Sequence, residues 1–574
     1  MTEQNLTGFP SIDRPWLKYY SEEAINAPLP EGSLYDYMIA ENKDRMNYTA
    51  INYFGKKITY EQLDSRIQEC AKALIAHGVC PGDIVSVCML TMPEVLVLLY
   101  AINRIGAVCN FLVLNATEEE IHKQIASTES RLVFTVDLAA GKIREAAVGT
   151  SVEEVVVIPL SASMPAPVAW VVKLKSCKEP PMEGMTGWKR FLRQGKRGGG
   201  GAFPFVPVRS DAMAVLEYTS GTTGESKGVM LSNQAINSVA FHYKRASTVL
   251  EFHSGERFLC VIPPFLAFGL VAALVMPLCI GFELIMEPDP APKATARSFV
   301  KYRPNHVTGG PLHVESIVQC PQVKKMDLSF LSTLAYGGEK SDPIWEQKIT
   351  EFIEERGAPH EVSSGYGLTE TATSFCITTH RTREMLPFVK NNIKILNVDT
   401  GEELGFGQEG EVCVTGPSLM LGYYKHPEAT EELFFEADGI RWMRTGDLGM
   451  VTEKGFFHIT GRIKRIFWKM GDDDIVYRVY PMKIEEVICQ CEAVAHCAVV
   501  GRKNTAKGYD PIAFVVKKND EQAEHDILSS IKENCKQHLQ VNSQPTEIHF
   551  IESLPMTRAG KIDYRALEKE AENT

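Results

Sequence analysis

The sequence predicts an α/β protein, with a large N-terminal domain of several subdomains and a small α+β domain at the C-terminal end. Three observations predict it. Short β-branched runs alternate with amphipathic helical stretches from Thr59 to Ile158 and again from Met213 to about Ile353, the pattern of parallel-type sheets. Val412–Gly416, set among Gly and Pro, reads as a β-rich piece. The charged run Arg462–Lys469 has the composition of a linker and sets off the C-terminal part of the chain. The expected division is 1–460, a hinge at 461–465, and 466–574. The 574 residues are too many for one core.

Each element has its own signal. Thr59–Gly78 is a predicted helix. Thr59 and Gln62 make a capping box, Leu63, Ile67, Ala71, Leu74 and Ile75 share one face, and Gly78 stops it. A strand is expected at Asp83–Met89, a helix at Pro93–Ile105, and apolar runs at Ala107–Leu114, Val133–Val136 and Val155–Ile158. Ser161–Phe205 breaks the alternation with Pro, Gly and four successive glycines, Gly198–Gly201. Between Val171 and Gly201 stand eight Lys/Arg and two Glu, interleaved with Trp188, Phe191 and Leu192 next to Trp170. Such a segment suits peripheral membrane contact or partner docking through 170–200, or a solvated loop. In the last part, strands are expected at Ala498–Val500, Ile512–Val516 and Glu547–Ile551, with a helix near Asp526–His538.

Composition narrows the function. Apolar residues make up 44% and charged residues 23%, an ordinary globular balance. The net charge of −12 disfavours a nucleic-acid partner. The 14 cysteines are scattered, and Cys489, Cys491 and Cys497 do not have a usual zinc spacing. Residues 1–20 contain no apolar core of a secretory signal, and the apolar run Leu270–Ile280 is too short to span a bilayer. A cytoplasmic protein is the expectation.

The sharpest local feature is Tyr218-Thr-Ser-Gly-Thr-Thr-Gly-Glu-Ser-Lys-Gly228, between a strand expected at Ala212–Tyr218 and a helix expected from Ser232. Gly and hydroxyl residues leave backbone N–H groups free to face phosphate oxygens, and Lys227 adds a cation. It is neither a Walker loop nor a dinucleotide fingerprint.

This segment resembles the phosphate-binding loop of the adenylate-forming superfamily, which includes acyl-CoA synthetases, peptide-synthetase adenylation domains and beetle luciferases. Further resemblances come in family order: Gly365-Tyr-Gly-Leu-Thr-Glu370, Arg444-Thr-Gly-Asp-Leu448, Gly461-Arg462 at the hinge, and Leu554-Pro-Met-Thr-Arg-Ala-Gly-Lys-Ile562. The resemblance spans nearly the whole chain and is most like a bacterial-type AMP-dependent acyl-CoA synthetase. It implies ATP-dependent formation of an acyl-AMP, release of pyrophosphate, and transfer of the acyl group to a thiol.

The roles it implies are specific. Thr219, Ser220, Gly221, Thr222, Thr223, Gly224 and Lys227 would hold the β- and γ-phosphates of ATP. Glu370 would ligate Mg²⁺, a hard cation suited to oxygen donors, and Thr369 would donate to the α-phosphate. Tyr366, Gly367, Gly338 and Glu339 would line adenine. Asp447 would accept the ribose hydroxyls, with Arg462 assisting. Lys561, on a mobile lid domain, would neutralise charge as the carboxylate attacks phosphorus. Both reactants are anions, so cations and aligned donors matter more than acid–base groups.

Three departures stand out. In Ile262-Pro-Pro-Phe-Leu-Ala-Phe-Gly269, Leu266 stands where the family often has His or a larger aromatic. Phe265, Leu266 and Phe268 predict an apolar acid pocket with no carboxylate for an amino group, which suits a fatty or aryl acid. After Lys464 stands Arg465, where the resemblance leads one to expect Asp or Lys; a tolerated polar substitution is the simple reading. The stretch Trp468–Pro481 reads as longer than the family's, with Asp472, Asp473 and Asp474 in a row and Lys483 where Glu is usual. That charge could repel CoA, leaving CoA and a carrier-protein phosphopantetheine open as acceptors. A catalytically silent nucleotide- or acyl-binding homologue is a further reading, opposed by Thr223, Glu370, Asp447 and Lys561.

Overall fold

The computed structural model describes residues 6–175, 185–197, 207–219, 226–246, 252–338, 343–379, 382–471, 473, 475–518, 523–557 and 561–573. Three sheets organise them. The first has eight strands and is parallel from Met213–Tyr218 through Val108–Phe111, Ile84–Cys88, Leu132–Val136 and Glu154–Ile158 to Met185–Gly187. The helix Tyr60–Ala76 packs beside it with the capping box Thr59–Gln62 formed; Leu63, Ile67, Ala71 and Leu74 are buried and Ile75 half-buried. The second sheet has a parallel half, from Thr49–Tyr53 to Ser363–Tyr366, that continues into antiparallel strands between Cys376 and Arg462. This antiparallel half is the β-rich piece expected around Val412. The third sheet, with strands from Phe467–Met470 to Glu547–Phe550 and the helices Pro481–Cys489 and Glu524–His538, forms the small α+β unit. Its core gathers Phe467, Ile484, Val499, Val515 and Ile531.

The fold is the α/β one expected, a large N-terminal part with mixed sheets and a small C-terminal part. Three local expectations change. The glycine-rich segment does not lead directly into a helix. Gly228–Ser232 is a strand antiparallel to Met213–Tyr218, and only then does Ser232 cap the helix Asn233–Arg245 by accepting from the Ala235 N–H at 3.0 Å. The chain therefore passes from Met213–Tyr218 to a second, antiparallel strand before the helix begins.

Ser161–Phe205 is not simply a loop. It holds the helix Ala166–Lys175, the strand Met185–Gly187 and the helix Trp188–Arg197. Trp188 and Phe191 are buried, with Phe191 at 5.1 Å from Phe134 and 4.5 Å from the His77 ring. A Cβ on Gly195 would lie 2.6 Å from Ala73 Cα, so the two helices cross at backbone contact and only glycine fits there. These aromatics belong to the core and not to a membrane-facing surface, whereas Trp170 is 66% exposed. Gly198–Gly201 lie outside the described residues.

The charged run Arg462–Lys469 is mostly ordered structure. Arg462 ends one strand, Ile463–Arg465 is a single 3₁₀ turn, and Phe467 begins the next strand. Among the described residues no helix is long and apolar enough to cross a membrane; the apolar run near Leu270 is buried, as the π-helix Phe268–Val275 followed by Met276–Ile280.

Candidate active site

The segment Ser363–Tyr366 ends the parallel half of the second sheet, where open α/β sheets commonly place ligands. The chain then folds back sharply. Phe375 N–H donates to the Tyr366 carbonyl at 2.7 Å, Leu368 N–H to Thr371 Oγ1 at 2.9 Å, and Ala372 and Thr373 take positive φ values of 50° and 95°. A Cβ on Gly367 would lie 1.4 Å from the Thr373 carbonyl oxygen, so this fold-back admits only glycine. Its product is a short 3₁₀ turn, Thr369–Thr371, that carries Thr369 and Glu370.

One cluster forms at Tyr366. Its hydroxyl donates to Asp447 Oδ2 at 2.9 Å, and Arg462 Nε donates to Asp447 Oδ1 at 2.7 Å. Asp447 and Arg462 face each other across antiparallel strands, in register. Asp447 is only 3% exposed, and its negative charge holds the Arg462 guanidinium above its usual range. Burial, with that carboxylate adding, pushes the Tyr366 phenol well up, so it stays a donor. A buried carboxylate fixed on both oxygens, each with acceptor capacity left, can take up a diol.

A second cluster forms at Glu370. Tyr423 donates its hydroxyl to Glu370 Oε1 at 2.7 Å, and Lys227 Nζ lies 5.2 Å above the centre of the Tyr423 ring. Lys227 closes the glycine-rich hairpin: Thr219 N–H donates to the Lys227 carbonyl at 3.0 Å, and Lys227 N–H to Thr219 Oγ1 at 3.3 Å. Thr219 and Lys227 are thus the two ends of the loop, and Lys227 is linked through the Tyr423 ring to the turn that carries Glu370. Ser220, Gly221, Thr222, Thr223 and Gly224 lie outside the described residues, as does Glu339.

Gly338 has φ 90°, and the preceding Gly337 takes the Phe268 ring, whose Cζ would lie 3.1 Å from a Cβ there. Phe268 therefore adjoins the segment expected at adenine. Phe265 is buried and Leu266 half-buried, both packed in apolar clusters. Tyr336 belongs to the core, with its hydroxyl bonded to Glu346. Lys561 sits half-buried on the small unit, where its N–H donates to Thr557 Oγ1 at 3.2 Å and its carbonyl accepts from Thr557 N–H at 2.6 Å.

Sequence reasoning missed Tyr423 and the setting of Arg465. Arg465 is half-buried: its two terminal nitrogens reach Glu485 at 3.3 and 2.5 Å, one also reaches the Val499 carbonyl at 3.1 Å, and its guanidinium lies 3.7 Å from the Tyr564 ring centre. These contacts anchor it within the small unit, a setting that the simple reading of a tolerated polar substitution did not include. Asp473 is engaged as well, accepting from Ile475 N–H at 3.1 Å and from the Tyr477 hydroxyl; Asp472 and Asp474 lie outside the described residues.

A buried mid-strand carboxylate paired with a tyrosine and an arginine, next to a lysine-closed glycine-rich hairpin and a glutamate turn, makes up the candidate site of an enzyme on a two-part α/β scaffold. The chain belongs to the AMP-binding enzyme family of the adenylate-forming superfamily: the model described as "AMP-binding enzyme" matches residues 40–424, and "AMP-binding enzyme C-terminal domain" matches 483–561. It is 27% identical to a long-chain-fatty-acid–CoA ligase of Bacillus subtilis, over 98% of this chain and 99% of that protein. It is 28% identical to 4-coumarate–CoA ligase CCL1 of Humulus lupulus, over 88% of each. In fold it is similar to the anthranilate CoA ligase AuaEII in complex with anthranoyl-AMP, with TM-score 0.79, 20% identity, and 96% and 99% of the two chains covered.

Proposed function

We propose that this enzyme activates a fatty or aryl carboxylic acid as its acyl-AMP, releasing pyrophosphate, and then transfers the acyl group to CoA. The observation that carries the reading is the Tyr366–Asp447–Arg462 cluster joined by one short turn to Glu370 and Lys227. Asp447 binds the ribose hydroxyls, held in place by Arg462 and Tyr366. Tyr366, Gly367, Gly338 and Glu339 line adenine. Thr219 to Gly224, with Lys227, cradle the β- and γ-phosphates through backbone donors and one cation. Thr369 donates to the α-phosphate.

The residues fit Mg²⁺. Glu370 presents a carboxylate whose Oε2 has no hydrogen-bond partner among the described residues, and Mg²⁺ typically takes one or two carboxylates together with substrate phosphates. Bound there with ATP, the ion supplies charge neutralisation at the leaving pyrophosphate. Lys561 is the catalytic lysine. It arrives on the small domain, 466–574, which moves on the 461–465 hinge against 1–460, and it offsets charge developing between carboxylate and phosphorus.

Phe265, Leu266 and Phe268 give the acid an apolar setting without a carboxylate for an amino group. CoA is the favoured acceptor on two grounds. The full-length relatives carry CoA-ligase names, and Asp473 is tied up within its own hairpin rather than projecting at an acceptor. The test is pyrophosphate release across fatty, aryl and α-amino acids, with and without CoA. Fatty or aryl acids should lead, CoA should accelerate turnover, and Lys561→Ala should slow acyl-AMP formation by roughly a hundredfold or more while ATP binding persists. An α-amino acid as best substrate overturns the pocket argument, and an unchanged Lys561→Ala rate overturns the role of that lysine.

A further inference from the structure

Tyr423 is neither in the glycine-rich loop nor in the Thr369–Glu370 turn, yet it touches both. It lies on the two-residue strand Gly422–Tyr423, which pairs antiparallel with Gly228–Ser232 and puts Tyr423 opposite Val229, two residues after Lys227. Backbone bonds lock this placement on both sides: Leu421 N–H donates to the Met230 carbonyl at 2.9 Å, Tyr424 N–H to the Gly228 carbonyl at 2.8 Å, and Tyr423 N–H to Thr430 Oγ1 at 2.9 Å. The preceding segment is tied to the turn itself, since Met420 N–H donates to the Glu370 carbonyl at 2.8 Å. The phenol therefore reaches Glu370 from a fixed base.

We propose that Tyr423 is a positioning residue for adenylation: its hydroxyl fixes Glu370 through Oε1 and leaves Oε2 for Mg²⁺, while its ring seats the Lys227 ammonium, so that metal carboxylate and phosphate-loop cation are held as one unit. The proposal rests on the reading of Glu370 as the Mg²⁺ ligand. Its geometric basis is the 2.7 Å hydrogen bond on one carboxylate oxygen and the 5.2 Å cation–ring distance on the other side of the same residue. A carboxylate on a three-residue turn has rotamer freedom to lose; one charge-assisted hydrogen bond removes it before the metal arrives. The ring face attracts the lysine without consuming its N–H donors, which stay available to phosphate.

The test measures equilibrium binding of a non-hydrolysable ATP analogue, α,β-methylene-ATP, with excess Mg²⁺ and again in EDTA, so that no turnover is needed. Tyr423→Phe keeps the ring over Lys227 and removes only the donor. It should lose about tenfold of the tightening that Mg²⁺ gives the wild type, the scale of one hydrogen bond to a charged group, with binding in EDTA within about twofold. Tyr423→Leu removes the ring too and should also weaken binding in EDTA. Glu370→Gln separates the proposal from the reading beneath it. If Glu370→Gln abolishes the Mg²⁺ effect and Tyr423→Phe leaves it whole, the positioning role is overturned and the metal-ligand reading stands. If Glu370→Gln leaves the Mg²⁺ effect whole, the metal-ligand reading fails and the proposal with it. Equal weakening of Tyr423→Phe in Mg²⁺ and EDTA, with a lowered thermal midpoint, would make Tyr423 merely structural and overturn the proposal.

Discussion

Asp447 and Tyr366 were legible in the sequence because short motifs carry them, and each motif brings its backbone geometry along. Gly367 is part of that legibility, since the fold-back it permits forms the turn that carries Glu370. Tyr423 was not legible. It stands 53 residues from Glu370, and nothing in local spacing joins the two. His242 is a similar case on the helix Asn233–Arg245. It is fully buried, both ring nitrogens lack partners among the described residues, and its ring stacks on Phe388 at 5.0 Å. Burial, with the Lys390 charge adding, lowers it to about 3. The unfolded chain takes up this proton near pH 6.5, and the native chain does not until about pH 3. The contribution to stability is therefore complete above pH 6.5 and is lost as pH falls below it, by about 1.4 kcal/mol per pH unit. His242→Phe should flatten the pH dependence of unfolding between pH 6.5 and 4.5 by about 2–3 kcal/mol in urea titrations. Identical slopes in the two proteins would show that the ring is protonated or partnered in the folded state.

At the scale of elements, the regular strands and helices before Ile158 were legible because hydrophobic period and capping agree there. Trp188–Arg197 was not, because its basic residues mask an apolar face that only the neighbouring helix Tyr60–Ala76 explains. Gly228–Ser232 was not either. It is five residues long, runs straight into a helix cap, and is a strand because Met213–Tyr218 and Gly422–Tyr423 flank it. The hinge turn shows how a short element gains meaning from its ends. Arg462 is held to Asp447 on the second sheet, and Arg465 to Glu485 on the small unit. Only Ile463 and Lys464 lie between them. The proposed pivot is therefore narrower than 461–465, with Arg465 on the side proposed to move. Removing it leaves Glu485, 13% exposed, without its cation. Arg465→Ala should cost the small domain about 2 kcal/mol, the scale of losing hydrogen bonds to a charged group, read as earlier urea unfolding of a C-terminal fluorescence probe. Acyl-AMP formation per folded molecule should change less than the thiol step, because the pivot loses its anchor on the moving side. Wild-type unfolding of that probe would show the pair to be incidental.

At the scale of the whole molecule, the two-part architecture was legible from composition and motif order, and how the parts meet was not. The small unit touches the antiparallel half of the second sheet through Arg478 with Asp399 and Lys483 with Glu409, the latter at 3.1 Å. A cleft of about 100 Å³, lined by Asn397, Asp399, Glu409, Arg478 and Tyr480 among others, lies between these pairs. These two ion pairs are partly exposed. Lys483, which stands where Glu was expected, thus has a partner on the opposite domain. Exposed pairs are each worth about 0.2–1 kcal/mol, so their loss should bias the arrangement of the domains without unfolding either one. Asp399→Ala with Glu409→Ala should shift the ratio of the two half-reactions by about two- to fivefold in single-turnover measurements. The shift should shrink as salt rises from about 20 to about 300 mM, because both pairs are open to screening. The order of preference among acids should not move, since Phe265, Leu266 and Phe268 lie on the large domain away from these charges. A ratio unchanged at low salt would mean that these contacts do not weigh on the domain equilibrium. A changed acid preference would mean that the pocket depends on the small domain's position.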